Sequence, residues 1–135
     1  MAPLEADREQ HSVAGTWRLA GAILRLPERA LLVTDRPDAF LEHVADGLEA
    51  LLPVRVEISW ASLDMDPPAP TMPHHQRLNV ELNEAPYALL DVLSVSPLDE
   101  HVRFSLEHLS ADLTFHVDAL TVRRMRRVVR ELRAA

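Results

Sequence analysis

The chain's 135 residues fit one domain, and 47% hydrophobic with 26% charged residues is a globular composition, not a disordered one. Cysteine is absent, which excludes disulfides, thiolate metal sites, thiol catalysis and a thioether-linked chromophore. The net charge of −7 is segregated: residues 1–122 hold 8 arginines against 20 carboxylates, and residues 123–135 hold 6 arginines against Glu131 alone. A body at −12 argues against a general nucleic-acid binder, because phosphates are repelled; the tip at +5 is the one place where that argument reverses.

Residues 1–10 are polar and aperiodic and read as a loose terminus. Ser12 is placed to cap a helix reaching about Leu26, with Val13, Trp17, Ala20 and Leu24 on one stripe and Pro27 as its stop. Residues 30–33 (ALLV) are too short to assign to strand or helix. Asp35 and Asp38 around Pro37 mark the start of a second helix over Ala39–Leu52, with Phe40, Leu41, Val44, Leu48, Leu51 and Leu52 on its apolar face.

Strict alternation over Val54–Ser62 predicts a strand with Val54, Val56, Ile58 and Trp60 inward and Arg55, Glu57 and Ser59 outward. The four prolines of residues 64–73 predict a stiff loop. A second strand spans Arg77–Asn83, with Leu78, Val80 and Leu82 inward and Arg77, Asn79 and Glu81 outward. After a tight turn at Asn83–Pro86, the apolar run YALLDVLSV (Tyr87–Val95) reads as a central strand with neighbours on both sides. Ser96 or Asp99 opens the last helix, whose core stripe is Leu98, Val102, Leu106, Leu109, Leu113 and Leu120. It runs to about Arg133 unless a new helix is capped at Asp118. The expected fold is α/β (α+β): two layers, a small antiparallel sheet with flanking N- and C-terminal helices.

Two blocks of this pattern, FLEHVADGLEALLPVRVEISWASLD and LNVELNEAPYALLDVLSVSPLDEHVRFSLEHLSADL, resemble GAF domains, the small sensory modules of bacterial signalling proteins. The first is similar to that family's opening helix and first strand; the second is similar to its closing hairpin and terminal helix. The resemblance covers about 75 residues of apolar cadence and no signature motif. It departs from the family between Ala61 and Gln76, where 14 residues replace the strands and helices that wall a ligand pocket. It implies a single truncated or divergent GAF-like domain over residues 11–122, with residues 123–135 as an Arg-rich helical extension, and a pairing of terminal helices across a dimer.

Several constellations invite a sharper reading. His74 and His75 follow Asp64 and Asp66 at a spacing that matches no established metal site, so a solvated loop is expected. His101, His108, Asp112 and His116 share one edge of the last helix; an i, i+4 pair can chelate a metal, yet a polar helix edge is the expectation. Phe104, Ala111, Phe115 and Val122 form a second apolar stripe on the same helix. The first helix covers that stripe, or it is a homodimer or partner seam in which Trp17 takes part, or both hold at once. Arg123, Arg124, Arg126, Arg127, Arg130 and Arg133 suit an acidic protein surface, nucleic acid or plain solvent, and no aromatic residue in the run supports base stacking. No glycine-rich phosphate loop, nucleophile elbow or H-E-x-x-H is present.

The sequence-level expectation is a non-catalytic regulatory module, a sensory or oligomerisation domain of a signalling or stress-response pathway. It is expected to bind no cofactor and no metal. With no signal-peptide pattern and no span of 18 apolar residues, it is expected to be cytoplasmic and off the membrane. The alternatives are a nucleic-acid-associated factor using the arginine helix, and a small-molecule sensor.

Overall fold

A computed structural model describes residues 15, 17–61 and 69–135. The expected loose terminus, the Ser12 cap, Asp64 and Asp66 lie outside the described residues. Helix α1 covers residues 17–24, and α2 covers Leu26–Leu31. Then come α3 (Pro37–Leu51), β1 (Arg55–Trp60), β2 (His74–Leu82), β3 (Ala85–Ser94) and α4 (Glu100–Ala134).

The three strands form one antiparallel sheet in the order β1-β3-β2, so the apolar strand is central, as its composition demands. In register, Val56 and Ile58 stand beside Val92 and Leu90, and Leu78 and Val80 beside Leu90 and Ala88. These side chains build one face. Helices α3 and α4 cover it with Phe40, Leu41, Val44 and Leu48, and with Val102, Leu106, Leu109, Leu113, Val117 and Leu120. The result is two layers around one core. At the packing of α2 on α3, a Cβ on Gly47 would stand 2.5 Å from Leu26 Cδ2, so a larger residue there requires the Leu26 side chain to move.

Two expectations are corrected, for Pro27 and for the start of the second strand, and two that the sequence leaves open, residues 30–33 and the last helix, are decided. Pro27 does not end the first helix: the chain turns at Arg25, and Pro27 sits in the first turn of α2, where its missing N–H costs nothing. Residues 30–33 are the last turn of α2 and its exit. Strand β2 begins at His74, so the two histidines belong to the sheet, and not to the loop. Helix α4 runs unbroken for 35 residues, about 52 Å; Asp99, not Ser96, caps it by accepting from the His101 N–H at 2.9 Å.

Asp118 does not start a helix because its carboxylate is used elsewhere: it accepts from the Asn83 N–H at 2.9 Å. Thr114 Oγ1 likewise accepts from the Glu81 N–H, and Ser110 Oγ donates to the Asn79 carbonyl. Three side chains four residues apart on α4 thus serve Asn79 and Glu81 of the edge strand and Asn83 of the turn that follows it. The match is metric, since four helical residues rise about 6 Å and two strand residues about 6.6 Å. An otherwise open sheet edge is covered, and the rotation of α4 about its axis is fixed.

The hairpin turn is Asn83-Glu84, both with positive φ (52° and 66°), closed by Leu82 opposite Ala85. Asn tolerates that region; Glu does so at a cost of about 1 kcal/mol. Glu84→Gly is therefore expected to raise folding stability by about 1 kcal/mol in urea titration, and an unchanged or lowered midpoint would contradict the turn geometry.

Candidate functional site

Helix α4 has a buried stripe that ends at Leu120; residues 122–135 are all exposed. The helix continues for fourteen residues past its last core contact. On the side opposite the core, Phe104, Ala111, Phe115 and Val122 lie along one line, as the sequence predicts, with Phe104 61% and Phe115 68% exposed. The described part of α1 leaves this stripe open, so the expectation that the first helix covers it does not hold there. Trp17, 66% exposed, stacks at 5.7 Å on His101 at the start of α4 and stands beside the stripe's N-terminal end.

The histidines of α4 are partnered by rings. His108 meets Phe104 edge-on at 4.5 Å, and His116 lies between Phe40 at 5.7 Å and Phe115 at 5.4 Å. Such contacts suit a polar helix edge whose imidazoles fill space beside aromatics. On β2, His74 and His75 are successive strand residues and point to opposite faces, so the two imidazoles do not converge. Among the described residues no group of three or more histidines and carboxylates is arranged around a common point.

The six arginines of the tip are all exposed. Arg127 reaches Asp35 at 3.1 Å, with both side chains more than 60% exposed, a pair worth little in solvent. Apolar side chains fill the gaps between them. One shallow groove runs over Val122, Met125 and Val129 between Arg126, Arg130 and Arg133. A second, of about 450 Å³, lies under the helix against Pro37, Leu82 and Tyr87. Burial pushes the Tyr87 phenol above its usual range, with Asp38 adding to the shift and Arg124 opposing it. A separate polar cleft of about 220 Å³ lies between His74, Gln76, Pro97 and Arg103. There Gln76 Nε2 donates to the Arg103 carbonyl, and Gln76 Oε1 has no hydrogen-bond partner among the described residues.

The outer sheet face differs from the expected solvated surface. Arg55, Asn79 and Glu81 are exposed, and Glu57 and Ser59 half-buried. Arg77, however, donates to both carboxylate oxygens of Asp91, Nε at 2.7 Å and Nη2 at 3.2 Å. The Asp91 side chain is 3% exposed, and Leu93 on the same face is also buried. The ion pair pushes the Arg77 guanidinium above its already high range. Sequence reading missed this pair. Its signal is a lone carboxylate inside an apolar strand, with an arginine directly opposite once the register is known.

No helix among the described residues is long and apolar enough to cross a membrane. No protein-family model, curated protein or solved structure matches the chain.

Proposed function

We propose that this chain is a cytoplasmic, non-catalytic regulatory module, a GAF-like sensory or oligomerisation domain of a signalling or stress-response pathway. It works by protein–protein contact on the outer face of α4, first of all with a second copy of itself. One observation carries the reading: α4 is apolar on the side turned away from its own core, and it outruns that core by fourteen residues. A helix with two apolar faces needs two partners, and the body supplies one. The hairpin β2–β3 running into a long terminal helix supports the GAF-like part of the reading.

The test is the mass in solution. At tens of micromolar the wild type is expected to scatter light as more than one 15.2 kDa chain. Phe115→Glu is expected to return it to a single chain, because a carboxylate would be buried in the seam. A wild type that stays at one chain mass overturns the reading.

A second reading concerns the arginine tip. Among the described residues, Arg127 is the only one of its six arginines in an ion pair. That leaves a cationic surface suited to an acidic protein partner. A duplex suits it less, since the body at −12 repels the flanking phosphates and the tip lacks aromatic residues.

A further inference from the structure

We infer that two copies pair through the outer faces of α4 as an antiparallel coiled coil that crosses near residue 120; the inference rests on the self-association proposed above. From Phe104 to Leu132 one line of positions recurs at alternating intervals of four and three residues; it meets the body at Asp118, which accepts from the Asn83 N–H, and its Met125 and Val129 also edge the groove against Pro37, Leu82 and Tyr87. Seven of the nine are apolar, and the exceptions are His108 and Asp118. This is the spacing of a two-stranded seam, sustained for four heptads and about 42 Å. Phe104, Phe115, Val122, Met125, Val129 and Leu132 are all between 45% and 71% exposed. The stripe drifts slowly round the helix, as a 3.5-residue repeat on a 3.6-residue helix must, and a left-handed supercoil absorbs that drift.

Charge selects the second copy and its direction. Residues 100–118 of α4 carry four carboxylates against Arg103, and residues 119–135 carry six arginines against Glu131. A parallel pair would bring six arginines against six. An antiparallel pair lays the basic half of each helix on the acidic half of the other. The body imposes the same direction, because its core ends at Leu120. Each overhang, residues 121–134, then lies along the body-backed half of the other copy. In this register Phe115 of one copy meets Met125 of the other, and Val129 meets Ala111. Asp112 flanks Arg126 across the seam.

The absence of cysteine makes the test direct, since Glu131→Cys adds a single site for a spin label at an exposed position off the seam. Two labels are expected about 35 Å apart by dipolar spectroscopy. A separation near the ~10 Å interaxial spacing would mean parallel helices and overturn the inference, while leaving self-association standing. Charge reversal gives an independent arm. Arg126→Glu is expected to weaken the dimer about tenfold, and adding Asp112→Arg in the same chain to restore it to within about threefold. A double variant as weak as the single one would overturn the register. A wild type with no dimer at all would overturn both the inference and the reading beneath it.

Discussion

Replacing Arg77 by Met is expected to cost about 3 kcal/mol of folding stability, a loss large against the 5–15 kcal/mol that holds a domain of this size. Asp91 sits on the central strand with a 3% exposed carboxylate, and Arg77 on β2 stands opposite and holds both its oxygens. Methionine keeps the length of the side chain and removes the charge and the donors. The carboxylate would then stay buried with its main counter-charge gone, the situation in which a broken ion pair costs most. The double variant Arg77→Met, Asp91→Leu is expected to recover most of the loss, because the pair as a whole contributes little beyond a well-packed apolar pair. Urea titration of the wild type, the single and the double variant separates the cases. A single-variant loss below about 1 kcal/mol would show that the pair behaves as a solvent-exposed one.

The elements of this fold were legible where periodicity was long. The alternation around Val56 and Ile58, the apolar run to Ser94 and the core stripe of α4 each repeat often enough to define a face. The misreadings fall on short segments, where one residue carries two meanings. Pro27 stops a helix or starts one, and only the turn at Arg25 decides. Asp118 caps a helix or serves a neighbour, and the Asn83 N–H, 35 residues away in sequence, takes it. The His74–His75 pair looked like loop because the prolines before it are loop, yet the register with Leu93 and Ser94 extends β2 back to it. The candidate seam is half legible: Phe104, Ala111, Phe115 and Val122 are visible as a stripe, but Met125, Val129 and Leu132 interleave with the arginines of the tip. Only the end of the core at Leu120 shows that they continue the same line.

The bonds from Ser110, Thr114 and Asp118 to β2 and the turn that follows it bear on function as well as on fold. A surface helix held by apolar contacts alone can roll, since ridges and grooves repeat around its axis. Polar bonds at fixed spacing to a strand edge remove that freedom. The outer face is thereby presented at one angle to the body, which a seam with a defined register requires.

The two phenylalanines on either side of His116 give the last expected result. Phe40 and Phe115 both contact that imidazole ring, at 5.7 and 5.4 Å, one from the core and one from the outer face. Phe40 is fully buried between α3 and the sheet, while Phe115 is 68% exposed. Phe40→Ala is expected to destabilise the single chain by about 3–5 kcal/mol, the transfer of a buried ring plus the cavity it leaves. Phe115→Ala is expected to change the stability of the single chain by less than about 0.5 kcal/mol, because the ring has no core contacts to lose. It should nonetheless weaken self-association, where the ring would be a seam residue. Chemical unfolding at submicromolar protein, where association contributes nothing, isolates the first quantity, and light scattering at tens of micromolar reads the second. A Phe115→Ala chain that is as unstable as Phe40→Ala would place that ring in the core. One that is stable and associates like the wild type would remove it from the seam.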